Sequence, residues 1–268
     1  MTDIAQVVRV SLEEDIGTGD VTSEACVPAD RRAIGFFIGR QQFVLAGTEV
    51  LSVMYDQLDL AKHDGDVVSD GEIIAEVQGP ARRLLEYERT ALNFLQRLSG
   101  VATVARAFAE QVKGTNCKVL DTRKTTPGLR LLEKRAAAAG GITNHRMGLY
   151  DAILIKNNHI AAAGGVRQAL ENARAASSLP IEIEVRTRLE LQEALSNGAK
   201  SLLLDNLNPA EAADWIREIA GRASVEISGG VTLLNVRAYA ETGADYVSTG
   251  AITHSAPAVD ISFRLELL

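Results

Sequence analysis

Four basic side chains stand beside turn signals at the ends of apolar runs. They are Arg123 and Lys124 in DTRKTTPGLR, Arg146 in NHRMGL and Lys156 in AILIK. From Lys118 to His159 the chain carries eight Lys or Arg against three acids, a local charge of +5 in a protein whose net charge is −7. Arg130, Lys134 and Arg135 fall on one helical segment and read as a solvated face. The other four have no such explanation. A compact cationic patch inside an acidic chain suits a small, highly charged anion. A nucleic-acid binder instead spreads basic charge into a stripe and raises the pI of the whole domain.

Acidic and glycine-rich strand ends follow. Glu184 in IEIEV and Asp205 in SLLLD end successive apolar runs, so their side chains can converge. In a cationic site, two converging carboxylates suit a hard cation such as Mg²⁺ held together with a ligand's hydroxyls. A salt bridge to Arg186 or Lys200 is the competing reading. ISGG (227–230) and STG (248–250) place glycines after two later runs, where backbone N–H groups can approach a phosphate. Gly164-Gly165 reads as a turn. His145, His159 and His254 lie near these segments, whereas His63 sits in a polar turn. No Ser/His/Asp or Cys/His constellation has nucleophilic spacing. Cys26 and Cys117 lie near no CxxC or Cys/His cluster, which predicts buried free thiols, no zinc site and a reducing cytoplasm.

These residues need a frame. From Lys118 onward the chain repeats strand, polar strand end, helix: KVLD, AILIK, IEIEV, SLLLD, SVEIS and DYVST, with amphipathic helices at 129–139, 165–177, 187–197, 209–220 and 232–242. Strands alternating with helices build parallel βαβ units, and this spacing suits a (β/α) barrel. Six strands are clear, and the reading leaves room for one or two more near 95–117 or 252–262. In such a barrel the chemistry lies at the C-terminal ends of the strands, where every polar residue above falls. Upstream, Leu84, Tyr87, Ala91, Phe94, Leu98, Val101, Ala105 and Phe108 mark a buried helix stripe, with Arg89 opposite it. Ser99-Gly100 predicts a kink or split, and the domain junction is placed nearby. Residues 1–80 read as a short helix (5–12), a turn at Gly17 and Gly19, and strands at 33–39, 42–45 and within 64–79. The last stretch is similar to half of a lipoyl-type sandwich but lacks its modified lysine, so it reads as scaffold. No apolar run approaches the ~18 residues of a membrane helix, and the acids of the first twenty residues do not suit a secretory leader.

The motifs EEDIGTGDVTS, DTRKTTPGLR, GGITNHRMGLYDAILIKNNHI, IEIEV, LLLDN and ISGGV…DYVSTGAITHS, in that order over nearly the whole chain, resemble the quinolinate phosphoribosyltransferase family. The resemblance implies an α/β fold: a small N-terminal α/β sandwich, 1–97 joined by the tail at about 260–268, and an incomplete (β/α) TIM-like barrel, 98–259. It implies conversion of quinolinate and phosphoribosyl pyrophosphate to nicotinate mononucleotide, CO₂ and pyrophosphate, with Mg²⁺, in NAD synthesis. It implies a homodimer or larger oligomer, with no nucleic-acid or membrane partner. On the same resemblance Arg123, Lys124, His145 and Arg146 meet the pyridine carboxylates, joined by Arg89 from the neighbouring subunit. Lys124 and Lys156 meet pyrophosphate or quinolinate oxygens, Glu184 and Asp205 hold ribose hydroxyls and Mg²⁺, and Ser228, Gly229, Gly230, Thr249, Gly250 and His254 hold phosphate. Lys124, Lys156, Glu184 and Asp205 form the catalytic set. Asn157 departs from the family's usual acid, and Ile142 stands where a third glycine is common. A related paralogue found with molybdate transport differs around the T-R-K and H-R motifs. A non-catalytic phosphosugar-binding barrel would leave the cationic residues from 123 to 159 unexplained.

Overall fold

The structure, a computed structural model, describes residues 3–268. Its elements run α1 (Ile4–Ile16), α2 (Val21–Cys26), β1 (Arg32–Gly39), β2 (Phe43–Val44), α3 (Thr48–Met54), β3 (Leu58–Leu60), β4 (Val67–Val68), β5 (Ile73–Pro80) and α4 (Ala81–Gln111). Then come β6 (Lys118–Leu120), α5 (Arg130–Ala139), β7 (Ile153–Ile155), α6 (Asn157–Ala163), α7 (Val166–Ala176), β8 (Ile181–Val185), α8 (Arg188–Ser196) and β9 (Ser201–Asp205). The chain closes with α9 (Pro209–Ile219), β10 (Ser224–Ser228), α10 (Val236–Ala240), β11 (Tyr246–Ser248), α11 (Ala251–His254) and β12 (Ile261–Leu267). It divides into two compact units. One comprises the chain to Arg106 with Thr125–Gly141 and Ile252–Leu268; the other comprises Ala107–Lys124 and Ile142–Ala251.

In the first unit an antiparallel sheet has the order β12-β1-β5-β3. The final strand pairs along all of β1, Ala33 opposite Leu267 and Gly39 opposite Ile261, so it completes this sheet and adds no strand to the barrel. Asp20 caps α2, accepting from the Thr22 and Ser23 amides. α4 is one unbroken helix through Ser99-Gly100, against the predicted kink. Both residues have packing reasons to be small. A Cβ on Gly100 would lie 2.0 Å from the Pro257 carbonyl, and the Ser99 hydroxyl accepts from the Ala46 amide. The stripe from Leu84 to Phe108 is buried apart from a partly exposed Tyr87, while Arg89 is exposed.

α5 departs from the expectation of a solvated basic face. Leu132, Glu133, Lys134, Ala136 and Ala137 are all buried, which covers most of the helix circumference. Lys134 is therefore interior, Arg130 is half-buried, and Arg135 alone of the three is exposed, paired with Glu49. Glu133 anchors the surrounding chain. Its carboxylate accepts from the Thr126 amide at 3.0 Å, the Thr126 hydroxyl at 2.7 Å and Arg97 Nη2 at 2.9 Å. Arg97 also donates to the carbonyls of Thr253 and Ala256. Cys26 is exposed at the end of α2, contrary to the expectation of burial. Cys117 is buried, and its thiol is pushed up to about 12 by that burial and then by Asp245.

The second unit holds a six-stranded parallel sheet in the order β6-β11-β10-β9-β8-β7. β6 and β7 are consecutive in sequence yet stand at opposite edges, as in a barrel whose wall is not closed. A single parallel bridge from Leu120 to Thr143 marks a stub of strand beyond β6. This stub, not a segment near 95–117 or 252–262, is the extra strand. The core between β7, β8 and β9 and their helices is apolar, with Ile183, Val185, Leu202, Leu204 and Leu191 fully buried. The two-residue period of β8 and β10 turns Glu182, Glu184, Glu226 and Ser228 to the opposite face. Among the described residues no helix is long and apolar enough to cross a membrane.

Candidate active site

The polar strand ends of the second unit share the C-terminal edge of its sheet, where loops after parallel strands gather. Asp121, directly after β6, is fully buried. Its carboxylate accepts from the His145 amide at 2.8 Å and from Asn144 Nδ2 at 2.6 Å. The turn carrying His145 and Arg146 is thereby tied to the strand end that carries Arg123 and Lys124. A second carboxylate shapes the next turn. Asp151 accepts from the Met147 and Gly148 amides at 2.6 and 2.9 Å. Burial opposes ionisation of Asp151, but these N–H groups outweigh it and hold its carboxyl below the usual range.

Arg123 and Arg146 are both half-buried. Burial, and then the charge of Arg123, lower Arg146 below its ordinary value, although Asp151 and Glu182 pull the other way. Two half-buried guanidiniums whose charges act on one another fit an anion that both can bind. Lys124 and Lys156 are exposed on the same rim. Lys156 Nζ lies 3.9 Å from Glu184 Oε2.

Glu184 is 4 % exposed and Asp205 partly so. Arg186 Nη2 stands between them, 3.0 Å from Glu184 Oε1 and 3.2 Å from Asp205 Oδ2. The two carboxylates do converge, and the competing ion pair with Arg186 is formed. Glu184 Oε1 is nevertheless buried without a properly aligned hydrogen bond. An oxygen-only pair with one acceptor left over fits a hydroxyl or a hard cation, and Arg186, half-exposed, can swing aside.

At the glycine-rich end, Gly229 adopts φ +92° and lies so close to Asn206 that a Cβ would meet Asn206 Oδ1 at 2.2 Å. Gly230 adopts φ +64° with open space in front of it. Ser228 is partly exposed beside them, and Gly250 is buried. Thr249 is spent on the frame. Its amide donates to Leu120 O at 3.1 Å and its hydroxyl to Val231 O at 2.9 Å. Two predicted residues belong to the first unit: Arg89 on α4 and His254 on α11, both exposed. His254 Nδ1 meets Ser255 Oγ at 2.6 Å. His159 is a helix cap, Nδ1 accepting the Lys156 amide at 2.9 Å.

His145 points below the rim. Its Nε2 lies 3.4 Å from Glu182 Oε2 and 3.2 Å from Glu226 Oε2, while Nδ1 receives the Arg146 amide at 2.6 Å. Burial disfavours a charged ring, but Glu182 and Glu226 outweigh it and push His145 up to about 9. Burial raises Glu226 in turn, against the pull of His145. The three ligand atoms are near enough to hold a metal ion. The Arg146 amide argues otherwise, because a metal at Nε2 would leave the ring without a proton on either nitrogen. Asp121, Arg186, Glu182 and Glu226 were not singled out by sequence reasoning as parts of the site. Alternation in IEIEV and SVEIS places the two glutamates on the face of Glu184 and Ser228 and could have found them.

Residues 101–264 match the profile of the quinolinate phosphoribosyl transferase C-terminal domain, and residues 20–99 that of its N-terminal domain. A probable nicotinate-nucleotide pyrophosphorylase [carboxylating] of Bacillus subtilis is 42% identical over 262 residues, covering 95% of this chain and 90% of the relative. The chain belongs to the quinolinate phosphoribosyltransferase family. A second relative of that family, a nicotinate-nucleotide pyrophosphorylase [carboxylating] of Mycobacterium leprae, is 41% identical over 96% of this chain and 95% of its own length. Among solved structures, NadC from Streptococcus pyogenes superposes with TM-score 0.94 at 37% identity, covering 99% of this chain and 97% of that one. A human nicotinic acid phosphoribosyltransferase, 13% identical with TM-score 0.64, shares the fold alone.

Proposed function

We infer that this protein is a decarboxylating phosphoribosyltransferase that converts quinolinate and phosphoribosyl pyrophosphate to nicotinate mononucleotide, CO₂ and pyrophosphate in NAD synthesis. The relatives' names, carboxylating pyrophosphorylase and decarboxylating phosphoribosyltransferase, describe that reaction in its two directions. The observation that carries the reading is the Asp121 carboxylate, which ties the turn bearing His145 and Arg146 to the strand end bearing Arg123 and Lys124. Quinolinate offers two carboxylates on adjacent ring carbons, enough to neutralise both guanidiniums by paired hydrogen bonds.

The chemistry asks mainly for placement and charge. The ring nitrogen attacks C1′ of the ribose as the bond from C1′ to the pyrophosphate oxygen breaks and pyrophosphate leaves with that electron pair. Lys124 and Lys156 neutralise the departing oxygens, while Glu184 and Asp205 face the ribose hydroxyls and offset the positive charge that grows on the sugar. The bond from ring C2 to its carboxylate then breaks, releasing CO₂. Its electron pair stays on the carbon beside the cationic nitrogen and is quenched by a proton from solvent. Glu184 and Asp205 would also hold Mg²⁺, which supplies charge neutralisation at the pyrophosphate when bound. Ser228, Gly229, Gly230 and Gly250 take the 5′-phosphate. Arg89, exposed and off the apolar stripe of its helix, reaches the site of a second subunit in a homodimer or larger oligomer, and the enzyme works in the cytoplasm. The test is direct: with quinolinate, phosphoribosyl pyrophosphate and Mg²⁺, CO₂ and nicotinate mononucleotide form in equal amounts. No CO₂ above the rate without protein would end this reading.

A further inference from the structure

Two carboxylates beneath a site for a dicarboxylate are electrostatically out of place. Glu226 is 3 % and Glu182 14 % exposed at the side chain, and both lie one step below the rim residues of their strands. Burial penalises a carboxylate, and the position paired with Glu226 on β9 is Leu203, so this layer accepts an apolar side chain. What the two glutamates share is His145. They meet its Nε2 at 3.2 and 3.4 Å, and each is itself anchored, Glu226 by Ser248 and Glu182 by the Ser201 hydroxyl at 3.0 Å. The ring's other edge takes the Arg146 amide, and the His145 amide is held by Asp121. The amide and both ring nitrogens of His145 are thus fixed by neighbours on different elements or on the next residue.

We propose that Glu226, with Glu182 beside it, is a positioning residue for quinolinate: it grips the Nε2 edge of His145 and so fixes the His145–Arg146 turn that presents cationic groups to the anion. This rests on the substrate reading above. Glu226 is the stronger of the two holds because it is nearer and more deeply buried, while Glu182 divides its acceptors between His145 and Ser201. His145 in turn screens the substrate from the carboxylates below. The pair works through His145 and touches no reacting atom.

The test compares Glu226→Leu, which keeps volume and removes the acceptor, with Glu226→Gln, whose amide oxygen still accepts. Glu226→Met, unbranched, replaces the leucine variant if that protein does not fold. The first measurement is ¹⁵N NMR of histidine-labelled protein without substrate, the His145 signals being assigned from His145→Ala. The leucine variant should move the His145 ring signals and leave those of His63, His159 and His254 in place. The second is calorimetric titration with quinolinate. Glu226→Leu should weaken binding at least tenfold and Glu226→Gln less than threefold, with binding of phosphoribosyl pyrophosphate changed less than twofold in both. In a His145→Ala background Glu226→Leu should add nothing. A folded Glu226→Leu protein with unmoved His145 signals, or one whose loss persists without His145, overturns the proposal. If wild-type protein fails to bind quinolinate, the substrate reading fails, and the NMR comparison still decides whether Glu226 holds the ring.

Discussion

Asp121→Asn tests the frame on which the cationic patch is built. The carboxylate is fully buried, and its donors include the His145 amide at 2.8 Å and Asn144 Nδ2 at 2.6 Å. Asparagine has one acceptor oxygen, so its NH₂ must confront one of them. Losing a hydrogen bond to a buried charged group costs about 1.5–3 kcal/mol, and an unsatisfied buried donor adds about 1–3 kcal/mol more. Asn144 is exposed and can turn to water, so the lower part of that range applies, and a loss of about 2–3 kcal/mol follows. Urea unfolding should show this as a lower midpoint at unchanged slope. If half of the loss appears as displacement of the His145–Arg146 turn, quinolinate binding weakens about tenfold, since ~1.4 kcal/mol is a factor of ten. A variant within ~0.5 kcal/mol of wild type that binds quinolinate normally would refute the role given to Asp121.

Nicotinic acid should not replace quinolinate, because the missing 2-carboxylate leaves guanidinium charge uncompensated at about 1–3 kcal/mol or more; equal turnover of the two acids would refute this. Asp205→Asn should cut activity sharply and weaken its dependence on Mg²⁺, with stability changed by less than ~1 kcal/mol because its partner Arg186 is half-exposed; normal activity at limiting Mg²⁺ would make Asp205 structural. Arg89→Ala and Lys156→Ala, each nearly inactive alone, should recover up to about a quarter of wild-type activity on mixing, since half the dimers then carry one intact site; no recovery from demonstrated heterodimers removes Arg89 from the partner's site.

The barrel was legible because each strand declared itself twice, by an apolar run and by the polar residue ending it. β8, β9 and β10 fall on IEIEV, SLLLD and SVEIS. Arg123 and Arg146 stood out in the sequence because they lie at turns, where packing gives no reason for charge. What stayed hidden depends on contacts between distant residues. Nothing local tells that Gly100 is small for the sake of the Pro257 carbonyl, or that Lys134 faces inward. The strand stub at Thr143 rests on one bridge and has no periodicity to read. Arg186 between Glu184 and Asp205 was weighed as a salt-bridge partner, and only the side-chain geometry shows that it bridges both.

The Arg97–Glu133 pair has a consequence for how the protein is made. It ties Thr126, which lies just beyond the Arg123-Lys124 turn, to a helix 29 residues upstream, and through Arg97 to carbonyls 156 and 159 residues downstream of that arginine. Such distant partners meet late, because closing long loops costs entropy before any contact repays it. On the ribosome, Arg97 and Glu133 can pair once both have emerged, but the guanidinium stays short of an acceptor until Ala256 leaves the exit tunnel. The loop around Thr126 is therefore among the last parts of its unit to settle. A chain stalled before residue 256 would hold Arg97, Thr126 and Glu133 and still lack the carbonyl that completes their anchor.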